Sequence, residues 1–147
     1  MIRISTKGRY GTRLMLQLAL NYGKGPILLK DISKNEAISL GYLEHLIPPL
    51  KSAGLIKSIR GARGGYFLSM KPSEIKLKEI IQALEGSLIL AECISTPAAC
   101  NRINFCSTRA LWEELSKKMS DILGGVTLQD LVEKNKNQKT ENLVYNI

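Results

Sequence analysis

Six residues, Arg60-Gly61-Ala62-Arg63-Gly64-Gly65, separate two short β-prone runs, Leu55-Ile56-Lys57-Ser58-Ile59 and Tyr66-Phe67-Leu68. Three glycines in six positions demand a sharp chain reversal, so the two runs read as an isolated antiparallel hairpin with a cationic tip. A lone hairpin is marginal in water and must lean on something else. The segments before it supply that support. Tyr10, Leu14, Leu18 and Tyr22 recur every four residues, with Met15 and Ala19 beside them, and predict an amphipathic helix over 7–22. Gly23-Lys24-Gly25-Pro26 stops it, and Ile27-Leu28-Leu29 is a short apolar run that could form a strand. A short helix follows over 30–36, with Ala37-Ile38 as a turn. Ser39 then N-caps a further helix through Leu40, Leu43, Leu46 and Ile47 to about Lys51, ended by Ala53-Gly54. Pro48 and Pro49 interrupt this last helix and predict a kink there, or an end near Ile47.

Helix, short helix, turn, helix and hairpin is the order of a winged helix-turn-helix. The expected fold is mainly α with a small β-wing, continued by a long C-terminal helix. Residues 1–86 form the winged unit, closed by an amphipathic helix through Leu77, Ile80, Ile81 and Leu84. Residues 87–107 form a cysteine-bearing loop. Residues 108–132 hold a long helix and a final short one, and 133–147 are a polar, mobile tail.

Charge supports this division. The net charge is +8 over 147 residues, and residues 1–75 hold twelve Lys and Arg against four Asp and Glu, whereas 76–147 hold nine of each. A basic half followed by a neutral one is the electrostatic footprint of a nucleic-acid binder with a separate second function. The partner expected is double-stranded DNA. The helix from Ser39 would read the major groove through Gly41, Tyr42, Glu44 and His45: Glu44 could accept from cytosine N4, and His45 could donate to a base edge or a phosphate. Arg60 and Arg63 suit phosphates or a narrow minor groove. Lys7 and Arg9, with Tyr10 beside them and Arg13 one turn on, could neutralise phosphates near the start of the first helix.

The cysteines supply the second function. Cys93, Cys100 and Cys106 lie six and five residues apart within one loop. An odd count argues against a disulfide framework. Clustered thiols in a reducing cytoplasm more often hold metal or undergo redox chemistry. Zinc favours shorter ligand spacing and a closed set of four, whereas wider gaps suit an iron–sulphur cluster, for which three thiolates are one short. A thiol switch is the remaining alternative. After the loop, Leu111, Leu115, Met119 and Ile122 form an apolar stripe suited to a homodimer seam or to intramolecular packing. The chain starts without an apolar leader and contains no run approaching eighteen apolar residues, so a cytoplasmic protein with no membrane span is expected. No Ser/His/Asp set, phosphate loop or carboxylate pair with a histidine points to an enzyme.

In order, Gly8-Arg9-Tyr10, Ile38-Ser39-Leu40-Gly41-Tyr42-Leu43-Glu44, Gly54-Leu55-Ile56, Arg60-Gly61 with Gly64-Gly65-Tyr66, the three cysteines and Ala110-Leu111-Trp112 resemble the bacterial winged-helix regulators typified by IscR, with NsrR and RirA as relatives. The resemblance covers residues 1–132. It implies a homodimeric transcription factor in which the helix from about Thr108 to Leu123 crosses its partner. A cluster on Cys93, Cys100 and Cys106 would tune DNA binding and control cluster-assembly or iron-responsive genes. IscR-type proteins place a histidine ligand three residues after the third cysteine; Arg109 stands there instead. Guanidinium is an improbable ligand, which leaves Ser107, Thr108, Glu113, solvent or the partner chain as the fourth. The 2Fe–2S type is slightly favoured, with 4Fe–4S as in the NsrR- and RirA-like relatives open. The rival expectations are a repressor with a structural zinc or thiol switch, a nitric-oxide-sensing cluster regulator, and a module that docks a metabolic enzyme.

Overall fold

The computed structural model describes residues 2–146. Seven α-helices and one two-stranded sheet follow in the order α1 (Thr6–Leu20), α2 (Leu29–Glu36), α3 (Leu40–Ser52), β1 (Ile56–Ile59), β2 (Gly65–Leu68), α4 (Leu77–Glu85), α5 (Glu92–Ser95), α6 (Ser107–Gly125) and α7 (Leu128–Tyr145). The mainly helical fold with a small wing is the one the sequence predicts.

One core joins these elements. Leu14 and Met15 of α1, Ile32 of α2, Leu43 and Leu50 of α3, and Ile80 of α4 are all fully buried. The helix starts follow their caps: the Ser5 side chain accepts from the Gly8 N–H at 3.2 Å, and that of Ser39 accepts from the Tyr42 N–H at 3.3 Å. Each satisfies an orphan donor of a first turn. The strands pair antiparallel with Ile56 opposite Leu68 and Ile59 opposite Gly65. Ile27, the residue expected to begin a strand, extends this sheet only as a single bridge: its N–H donates to Tyr66 O at 2.9 Å and its carbonyl accepts from Tyr66 N–H at 2.8 Å. Leu29 already starts α2. Gly65 is required by this contact, because a Cβ at that position would lie 2.5 Å from Ile27 O, and its φ of 146° is one that side chains disfavour.

Two expectations are corrected. α3 does not end near Ile47; it continues through Pro48 and Pro49 to Ser52. The prolines deprive the carbonyls of Glu44 and His45 of their i+4 donors. Both residues are exposed, and Leu46, Ile47 and Leu50 anchor the opposite face of the helix in the core. The expected short final helix and polar tail are one continuous helix, α7, of 18 residues. A capping box starts it: the Thr127 side chain accepts from Asp130 N–H at 3.2 Å and the Asp130 carboxylate accepts from Thr127 N–H at 2.8 Å. Leu128 and Val132 bury its first turns. Once nucleated, a stretch free of Gly and Pro propagates at little cost. The last residue of the expected tail, Ile147, lies outside the described residues.

The C-terminal arm is pinned to the winged unit by backbone pairing. Leu77 N–H donates to Val126 O and Leu128 N–H to Ile75 O, each at 2.9 Å. No described helix is long and apolar enough to cross a membrane.

Candidate nucleic-acid interface and cysteine loop

The face expected to meet DNA is built at the facing N-termini of α1 and α3. Gly41, Glu44 and His45 are exposed on the outer side of α3, and a Cβ added at Gly41 would meet nothing within 4 Å. Ser39 is committed to its cap. Tyr42 is half-buried, and its ring meets that of Tyr10 edge-on, with centroids 5.6 Å apart and planes at 83°. Tyr10 also lies beneath two guanidinium groups, Arg9 at 5.8 Å and Arg13 at 5.4 Å from its centroid. These two tyrosines therefore hold α1 against α3 and aim the cations around them. Arg13 is tied down further, its Nε 2.7 Å from Glu36 Oε2.

Between the two N-termini opens a cleft of about 470 Å³ lined by Arg3, Lys7, Arg9 and Tyr42. Arg3 escaped the sequence reading. Its signal is a third cation on the far side of the Ser5 cap from Lys7 and Arg9. Lys7, Arg9, Arg60 and Arg63 make no salt bridge among the described residues and are all exposed. At the wing tip a turn closed by Gly64 N–H to Gly61 O, at 3.0 Å, leaves both arginines extended into solvent.

The cysteine loop holds one turn of helix at α5 and a further turn at Pro97–Ala99. Cys93 lies in α5, Cys100 follows the second turn, and Cys106 immediately precedes α6; all three are free, half-buried thiols. Among the described residues no three Cys, His, Asp or Glu side chains gather closely enough to hold a metal ion. As a donor set, three thiols in one short loop suit a soft metal or cluster at three corners, with the fourth to come from elsewhere. Arg109 does not compete for that position. Its Nε donates to the carbonyl of Cys93 at 3.4 Å and its Nη1 lies 3.8 Å from Glu113, so it braces α5 onto the first turn of α6. A hydrogen bond with the Thr108 hydroxyl at 3.3 Å, a backbone hydrogen bond from Arg109 and the positive charge of Arg102 hold the Cys106 thiol below the ordinary cysteine range.

α6 rests only lightly on its own chain. Across 19 residues its single buried side chain is Ser116, which accepts from Leu90 N–H at 3.0 Å and donates to Trp112 O at 2.7 Å. Leu111, Leu115 and Ile122 are exposed by 48%, 39% and 68%. Met119 is half-buried against a groove that includes Ile2, Ile81 and Leu88. The stripe thus lies on the surface of the chain instead of in its core.

A recognition helix capped by serine, a cationic hairpin and a basic cleft between helix N-termini define a winged-helix DNA-binding regulator. Residues 4–134 match the Rrf2 family, described as an iron-dependent transcriptional regulator. The chain belongs to the Rrf2 family. It is 39% identical to the regulator IscR of Aliivibrio salmonicida over 94% of this chain and 82% of that one. The structure of CymR, the global cysteine regulator of B. subtilis, superposes with a TM-score of 0.78 at 40% identity, covering 91% of this chain and 98% of that one. An oxidized form of Staphylococcus aureus CymR superposes with a TM-score of 0.72 at 42% identity, covering 90% and 97%. The family and these relatives are transcriptional regulators, not enzymes.

Proposed function

We propose that this protein is a homodimeric, cytoplasmic transcription factor whose affinity for an operator in double-stranded DNA is set by the state of its cysteine loop. Glu44 and His45, beside Gly41, read base edges in the major groove. Lys7, Arg9, Tyr42 and the α1–α3 cleft seat phosphates, while Ser39 and Tyr10 hold the reading surface in place. Arg60 and Arg63 enter the adjoining minor groove or grip its backbone. Leu111, Leu115, Met119 and Ile122 pair with the same stripe of a second copy, which sets the spacing of the two reader helices.

Cys93, Cys100 and Cys106 would hold an iron–sulphur cluster, with 2Fe–2S favoured and 4Fe–4S the other type. The genes controlled are those of cluster assembly or iron supply. When bound, the cluster supplies a charge and ligation state that responds to iron, oxygen or nitric oxide. The observation that supports this reading is the position of the three thiols: the loop joins the end of α4, which packs on α1, to the start of α6, whose Leu111, Leu115 and Ile122 are exposed. Ordering that loop shifts both ends. The test is anaerobic purification with iron, acid-labile sulphide and visible absorbance measured on one preparation. Iron and sulphide in cluster stoichiometry support the reading; colourless, iron-poor protein after reconstitution overturns it.

One observation favours a second reading, a thiol switch without a cluster. Cys106 is already poised toward thiolate, and Arg109 occupies the place of a histidine ligand. In that case the same assay returns thiols that oxidise reversibly, with operator affinity changing between the two forms; zinc without sulphide would mark the structural-metal variant.

A further inference from the structure

Away from the DNA face and the cysteine loop, a cleft of about 670 Å³ lies between α1, the loop after it, the end of α2 and the middle of α7. Three lysines from separate parts of the chain line it: Lys24 from the loop, Lys136 and Lys139 from α7. None of the three makes a salt bridge among the described residues. The acid that shares the cleft, Glu36, is committed elsewhere. Its Oε2 meets Arg13 at 2.7 Å and its Oε1 accepts from Gln17 Nε2 at 2.6 Å. The field in the cleft is therefore positive.

The helix that forms one wall is itself under-supported. Residues 133–142 of α7 contain no apolar side chain, and below them only Leu128 and Val132 are buried. Lys136 and Lys139 share one face at a spacing of three, where like charges weaken a helix. Lysines that repel one another on a helix laid against α1 are relieved by an anionic group held between the two walls.

We propose that this cleft binds a small metabolite bearing at least two oxyanion groups, carboxylate or phosphate, held by Lys24, Lys136 and Lys139, and that binding fastens the polar half of α7 onto α1. The site is independent of the operator and cysteine readings and offers the regulator a second, metabolite-sized input.

Calorimetry with citrate and with inorganic pyrophosphate, against sodium chloride at equal ionic strength, tests this on the full chain. Saturable binding of either probe is expected, and the stronger of the two identifies the oxyanion class. Lys24→Ala and Lys139→Ala should each weaken it about tenfold, and Lys57→Ala, on the wing, should not. Hydrogen exchange of residues 133–145 should slow on binding. Signals no greater than those of chloride, affinity untouched by Lys24→Ala and Lys139→Ala, or exchange unaltered in α7 would each overturn the proposal. Displacement of the probe by nonspecific duplex DNA would overturn it too, by making the cleft a backbone contact.

Discussion

Glu85, the last residue of α4, holds the first turn of α1: its Oε1 accepts from the Ser5 N–H at 3.1 Å and from the Ser5 hydroxyl at 2.5 Å. A carboxylate at a helix N-terminus satisfies donors and opposes the positive end of the helix dipole. The contact is exclusive of bulk. A Cβ on Gly8 would lie 2.4 Å from that same oxygen, so glycine lets the carboxylate reach Ser5. Glu85 stands eight residues before Cys93, and Lys7 and Arg9 lie two and four residues after Ser5. The end of α4 thus lies at the start of the arm that enters the cysteine loop and touches the turn that carries Lys7 and Arg9.

Glu85→Ala removes both hydrogen bonds at an exposed site, so the loss of stability is modest, about 0.5–1.5 kcal/mol in denaturant unfolding. The larger expected effect is on communication. Operator affinity in Glu85→Ala should respond less to cluster loading or thiol oxidation than in the parent, while binding in one fixed state changes little. Gly8→Ala, which pushes the carboxylate aside, should do the same. A parent-like response in both variants would disconnect this contact from signalling.

The winged unit was legible because its apolar residues keep strict helical spacing and its turns carry the residues that turns require; Ser39 and the Gly64-Gly65 pair are visible before any coordinates. What escaped detection depends on tertiary context. Pro48 and Pro49 disfavour helices in isolation, but here Leu46, Ile47 and Leu50 hold the helix against the core. The polar run from Glu133 lacks any apolar period, and only the capping box upstream and the contact of α7 with α1 carry it into a helix. The clustering of Cys93, Cys100 and Cys106 is visible from spacing alone. The brace between Arg109 and the carbonyl of Cys93 is not, because it joins residues sixteen apart through a backbone atom.

Among the described residues the wing arginines make no salt bridge, which leaves their charge available to phosphate. Arg60→Ala and Arg63→Ala should each lower affinity for operator and for unrelated duplex in parallel if they neutralise phosphates, and each should reduce the slope of log K against log salt by about one. Glu44→Ala should instead relax the preference for particular bases with the slope unchanged. Fluorescence anisotropy across a salt series separates these outcomes; an unaltered slope in both arginine variants would remove the wing from the interface.

The stripe on α6 makes a prediction about assembly. Leu115 and Ile122 are exposed in the single chain and touch none of its core, so Leu115→Asp or Ile122→Asp should leave helical content and thermal unfolding of the winged unit close to normal. Sedimentation should show monomers at concentrations where the parent is dimeric, because the dimer would have to bury an unpaired carboxylate. Operator affinity should fall by well over tenfold with it, since two half-sites are no longer engaged together. A dimer that survives both substitutions places the seam elsewhere.

Cys106 should react at lower pH than an ordinary cysteine in metal-free protein. The Thr108 hydroxyl, the Arg109 backbone and Arg102 all favour its thiolate, and together they outweigh the opposing effect of burial. Its deprotonation therefore begins at a lower pH than that of an ordinary cysteine, and the rate of alkylation by iodoacetamide should rise and level off earlier on the pH scale for Cys106 than for the free amino acid. Thr108→Val deletes the first of these contributions. It should move the profile back toward higher pH and slow alkylation at neutral pH several-fold without changing the fold. Mass spectrometry of peptides labelled over a pH series reads both effects at once, and indistinguishable profiles in Thr108→Val and the parent would show that this hydroxyl does not govern the thiol.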